Sequence, residues 1–236
     1  MAVGSKTFLQ DNAPSPAGGT VALTRGVPAI RSRWADWLEI LFVFAVFEGV
    51  LWTPRSIGHS LMIALVVAAV VWFSFRRNSR VELGLRWPSS AGTARILAIG
   101  ALLAMAIPAG AILTAHPVPA NPDWPKFENL WPYVIWAFAQ QFLLQSFFYL
   151  RLESRMGARW AVAASTVLFT LAHLPNAPLT AMTFIGALFF TEMFRRHRSI
   201  YPLGIVHTLL GIAIAYSFSG PLMHHMRVGL SYWQFR

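Results

Sequence analysis

Cysteine is absent from the 236-residue chain, which excludes a disulfide framework, thiolate ligands and a cysteine nucleophile. Charge is scarce as well: 12% of the residues are Asp, Glu, Lys or Arg, about half the roughly 25% of a soluble domain. So few charges leave a water-facing surface uncovered, and lipid must solvate much of the chain. Lysine is confined to Lys6 and Lys126, so arginine carries almost all of the +10 net charge. The arginines stand in short clusters between apolar runs, the pattern that orients a membrane protein, and no nucleic-acid partner is expected. The first residues lack an apolar h-region, so no cleavable signal is expected. There is no internal repeat and no low-complexity tract.

What fills the chain is apolar: 56% of its residues, with mean hydropathy +0.52. Apolar runs of about 18 residues or more, enough to cross roughly 30 Å of hydrocarbon as helix, recur along its length. An all-α, polytopic transmembrane bundle of about seven spans follows, drawn at 36–53, 58–75, 94–115, 131–150, 159–175, 178–194 and 199–218. A polar arm (1–33) precedes the transmembrane domain (34–218), and an amphipathic tail (219–236) follows it. Alternate loops hold Arg31 and Arg33, then Arg76, Arg77, Arg80, Arg86 and Arg95, then Arg151, Arg155 and Arg159, then Arg195, Arg196 and Arg198. The opposite loops carry only Arg55 and Lys126, which places the N-terminus in the cytoplasm. Trp34, Trp52, Trp72, Trp131, Tyr133, Trp160 and Tyr201 fall near span ends, where their rings favour the headgroup level. Segment 116–132 is too rich in proline for a helix and reads as an external loop.

Polar side chains inside spans are expensive and face a partner or a cavity. They are Glu48 in the first span, Gln140, Gln141 and Gln145 in the fourth, His173 late in the fifth, Glu192 late in the sixth and His207 in the seventh. Gln141 and Gln145 are four apart and share a helix face, with Gln140 on its edge. Three glutamines and two histidines on three helices make a buried polar cluster. Its simplest role is to hydrogen-bond the helices together at about 0.6–2 kcal/mol per contact. Asp36, Glu39, Glu153 and Glu192 lie among arginines and read as solvated or salt-bridged. His59, His116, His197, His224 and His225 fall in loops or at ends. Two histidines without a carboxylate make a poor zinc site, and neither a metal nor another cofactor is expected.

The order QQFLLQSFFYLR (Gln140 to Arg151), FTLAHLPN (Phe169 to Asn176) and IVHTLLG (Ile205 to Gly211), with LGLRWP at 83–88 upstream, resembles the CAAX-protease and bacteriocin-processing (CPBP, or Abi) family of intramembrane proteases. The resemblance covers roughly 131–218. That family carries a Glu-Glu pair with Arg four residues on, then Phe-x-x-x-His, then His-x-x-x-Asn. Phe169, His173 and His207 match; Gln140 and Gln141 replace the two acids, Gln145 the arginine and Gly211 the asparagine. The resemblance implies a glutamate that activates water, with histidines holding it and stabilising the oxyanion. A glutamine can position water but cannot take its proton, and loss of a general base removes about 10²–10⁴ in rate. The expected function is therefore a protease-derived pseudoenzyme that binds, or serves as an accessory subunit of a membrane complex, with 1–33 and 222–236 as docking segments. The alternative is an active endopeptidase of the CAAX-prenyl-protease type in which Glu48 substitutes as base. A bacterial inner membrane is the expected location.

Overall fold

The computed structural model describes residues 33–114, 130–218 and 220–234, and among these the structure is wholly helical apart from turns. The arm at 1–32 and most of the proline-rich loop lie outside the described residues. The long helices are α1 (Arg33–Trp52), α2 (Ile57–Phe75) and α3 (Ser90–Leu113). Next, α4 (Trp131–Gln141) runs into a π-helical stretch (Phe142–Tyr149) and α5 (Leu150–Met156). Then come α6 (Ala158–Leu171), α7 (Ala177–His197) and α8 (Tyr201–Ser217). A short α9 (Gly220–Met223), a 3-10 turn (His224–Met226) and α10 (Leu230–Gln234) complete the chain.

Helices α2, α3 and α7 are long and apolar enough to cross a membrane, while α6 and α8 are apolar but shorter. Helix α1 has the length, at 20 residues, but carries Asp36, Glu39 and Glu48. The most apolar windows of α2 and α3 are only 22% and 17% buried. Ile57, Leu61, Leu65 and Trp72 instead point outward, as residues do when the surroundings are as apolar as they are. Starts are set by side chains. Ser56, Ser89 and Asn176 accept from His59 N, Gly92 N and Leu179 N, satisfying free amides at the heads of α2, α3 and α7. Pro132, Pro178 and Pro202 sit in first turns, where no amide is needed.

The interior is aromatic and tightly set: Leu144, Phe147, Tyr149, Phe194, Leu203 and Val206 are fully buried. Helix α8 packs on α3 and α4, α6 on α7, and α1 on α2. A Cβ at Gly204 would lie 2.7 Å from the Phe138 ring, so the small residue is what lets α8 approach α4. The 83–88 loop packs against the head of α8: Leu83 O accepts from Ser146 Oγ at 2.7 Å, Gly84 O accepts from Ile200 N at 3.0 Å, and Trp87 stacks on Tyr201.

Charge is gathered at one end. Asp36 and Glu39, in the first two turns of α1, are buried and bonded to Arg76 and Arg77 after α2 and to Arg151 and Arg155 in α5. Arg151 is 4% exposed; its guanidinium donates to Glu39 Oε2 at 3.2 Å, Phe147 O at 3.1 Å and Phe73 O at 2.6 Å. It also lies over the Phe147 ring at 3.9 Å. Glu153 accepts from Arg198 at 2.5 Å, bringing the end of α7 to the same side. The acids expected among arginines are thus ion-paired, and Asp36 and Glu39 are enclosed and not solvated.

The tail is folded onto the bundle. Asn176, fully buried, donates to Met223 O at 2.7 Å and Arg227 O at 3.1 Å, and Gly229 N donates to Leu174 O at 2.8 Å. A Cβ at Gly229, where φ is +57°, would lie 2.3 Å from Leu51 O. Residues 222–234, expected as a docking segment, therefore spend part of their surface on their own chain, with Met223 buried against Leu179 and Ile214. The reason is Asn176, whose amide supplies donors that the tail carbonyls accept.

Candidate functional site

The sequence sets Gln141 and Gln145 one turn apart, and the backbone there leaves α-geometry for the wider π-helix, with Leu150 N donating to Gln145 O. Such bulges concentrate at functional sites. Gln145 Nε2 donates to Gln141 Oε1 at 3.3 Å, and Gln141 Nε2 lies 3.1 Å from His207 Nδ1. Both amides are fully buried. An amide NH2 only donates, so His207 Nδ1 is the acceptor in this contact and the neutral ring carries its proton on Nε2. The fourth and eighth helices are thereby joined by a chain of neutral hydrogen bonds. Gln145 Oε1 has no hydrogen-bond partner at the buried end of that chain.

His173 comes from the turn after α6. Its Nδ1 is 2.8 Å from Phe169 O, a carbonyl that only accepts, so Nδ1 carries a proton; in the neutral ring Nε2 then keeps its lone pair. Phe169 stands between the two imidazoles, its ring centroid 5.0 Å from that of His173 and 6.2 Å from that of His207. Phe190 stacks on the far side of His207 at 5.2 Å. The Phe-x-x-x-His spacing thus sets one aromatic ring against both histidines.

His173, His207 and Gln140 line a cavity of about 570 Å³ walled by α1, α3, α4, α6, α7, α8 and the tail. Its walls are chiefly apolar, including Phe44, Leu51, Leu103, Ile107 and Met182. No Asp, Glu, Lys or Arg lines it among the described residues. Glu48 is not brought into that wall. Phe44, Phe47 and Leu51 form the α1 face of the cavity, and Glu48 falls on the flank of that stripe. Its Oε2 accepts from Trp52 Nε1 at 3.1 Å, one turn along the same helix. Of the three glutamines, Gln140 faces the cavity while Gln141 and Gln145 lie behind it in the hydrogen-bonded chain.

Three contributors escape a reading of the sequence. Tyr133, taken as an interface aromatic, lines the cavity beside Gly211. A Cβ at Gly211 would come 1.6 Å from the Tyr133 hydroxyl, so the phenol fills the space where a side chain at 211 would begin. Asn176 holds the tail, and through it His225, Met226 and Val228 reach the cavity wall. The tail's binding to Asn176 has no local sign in the sequence. Among the described residues no group of three or more His, Asp or Glu converges as a metal-ligand set.

With that geometry in hand, residues 122–213 match the family described as Type II CAAX prenyl endopeptidase Rce1-like. The match includes both histidines, all three glutamines and Gly211. No curated protein matches the chain, and no solved structure does.

Proposed function

Taking the chain as a membrane protein with an Rce1-like domain over residues 122–213, we propose that it is a protease-derived binding protein whose cavity holds a ligand and does not hydrolyse peptide bonds. The observation that carries this reading is the state of Gln141. It stands at an acid position of the family pattern, and its amide is spent between Gln145 and His207. An amide cannot accept the proton that an attacking water must lose. No carboxylate among the described residues lines the cavity to replace it. The endopeptidase alternative needs Glu48 as base, and the engagement of Glu48 with Trp52 outside the cavity wall speaks against it.

The seven expected spans, each falling on a helix, support a seven-span topology. Arginines from the loops after α2 and α7, and from α5, meet the acids of α1 and Glu153 at one end, which supports a common, cytoplasmic face. A bacterial inner membrane and an accessory role through the 1–33 arm belong to the same proposal.

The test is a reconstituted-protein assay on prenylated CAAX-type peptides, followed by product mass. The wild type should give no product above a His173→Ala, His207→Ala control. Turnover that disappears on His173→Ala would reject the reading.

A further inference from the structure

We propose that the cavity takes an uncharged, single-chain amphiphile whose head both donates and accepts hydrogen bonds, drawn from the surrounding lipid. The inference rests on the non-hydrolytic reading above and adds the chemistry of the ligand.

Four observations converge on it. The first is the complementary state of the two histidines. Gln141 takes His207 Nδ1, leaving Nε2–H as a donor, while Phe169 O takes His173 Nδ1–H, leaving the Nε2 lone pair as an acceptor. A head carrying more than one hydroxyl can accept from His207 and donate to His173; an ammonium has nothing to accept with, and a phosphate oxyanion nothing to donate.

The second is that no Asp, Glu, Lys or Arg side chain lines the cavity among the described residues. A charged head would lose its hydration with no counter-ion to meet it. The third is the Tyr133 hydroxyl, which the missing side chain at Gly211 admits to the wall one helical turn from His207. A phenol oxygen can accept more than one hydrogen bond, so it can meet a neutral polar head in addition to the contact it already makes.

The fourth is the route. Trp136 of α4 and Ile185 of α7 line the cavity and are also 47% and 61% exposed on the flank of the bundle. The cavity therefore has lining residues on the exposed faces of α4 and α7. An apolar chain can enter from the side, its head coming to rest against the polar groups of the wall. The volume, about 570 Å³, lies within the roughly 300–1,000 Å³ of small-ligand sites.

The test compares two lipids with the same oleoyl chain and glycerol core, monoolein and oleoyl lysophosphatidate, for equilibrium retention on the full-length protein in detergent micelles. Monoolein should be retained and lysophosphatidate held at least about tenfold more weakly. Tyr133→Phe and Gly211→Ala, the second by displacing the phenol, should each weaken monoolein about 3–10-fold. Equal retention of the two lipids by the wild type would overturn the inference without any variant. So would unchanged monoolein binding in both variants. Peptide hydrolysis is read by product mass and not by lipid retention, so failure of the non-hydrolytic reading is distinguishable from failure of this one.

Discussion

The two polar regions of this molecule are built on opposite principles. At the charged end, Asp36 and Glu39 are shut away from solvent and held by Arg76, Arg77, Arg151 and Arg155. In the cavity wall, polar groups are present without a formal charge: amide, imidazole and phenol. Charge ties helices together at one end of the bundle, and amide, imidazole and phenol groups line the apolar cavity. A hydrolytic site would invert that division by placing a carboxylate in the cavity. Four substitutions, Arg151 and Glu192 among the charged groups, Gln141 in the neutral chain and Gly204 in the packing outside both, sharpen the contrast.

The largest effect is expected at the charged end. Arg151→Ala removes one cation from a buried pair and frees the carbonyls of Phe147 and Phe73 as well. It should destabilise the fold by about 3–5 kcal/mol, measured by denaturant unfolding in detergent. Next is Gly204→Ala, whose new Cβ meets the Phe138 ring at 2.7 Å. Overpacking of this kind should lower stability by about 1–3 kcal/mol, seen as an earlier thermal transition.

In the neutral region, Gln141→Ala strands His207 Nδ1 and the Gln145 amide. A loss of about 1–3 kcal/mol is expected, smaller than at Arg151 because no ion is left unpaired. Stability equal to that of Arg151→Ala would erase the distinction between the regions. The smallest effect belongs to Glu192→Ala, which breaks pairs with Arg195 and Arg196 that remain partly exposed. It should change stability by about 0–1 kcal/mol, and raised salt should shrink the difference further.

Much of this architecture was legible in the sequence, because lipid imposes a simple rule on it. Apolar runs must be helices, and the seven drawn at 36–53 through 199–218 fall on helical segments, of which α2, α3 and α7 are long and apolar enough to cross a membrane. The same rule made Gln141, Gln145 and His207 conspicuous, and they do meet. What stayed hidden depends on shape and not on polarity. The π-helix at 142–149 adds a residue per bond without any compositional sign. The fit of Tyr133 into the notch at Gly211 pairs residues 78 positions apart, each ordinary alone. The tail's attachment to Asn176 likewise joins distant carbonyls to an amide that locally reads as a helix cap. Glu48 lies in α1, and its partner is Trp52 one turn away on the same helix.

Ligand binding as proposed needs His207 and His173, which line the cavity, to be neutral imidazoles of opposite tautomer. Nitrogen-15 solid-state NMR of the reconstituted, ring-labelled protein measures that directly. His207 should show an unprotonated Nδ1 with a protonated Nε2, and His173 the reverse. Imidazolium signals from either ring at neutral pH, or the same tautomer for both, would contradict it.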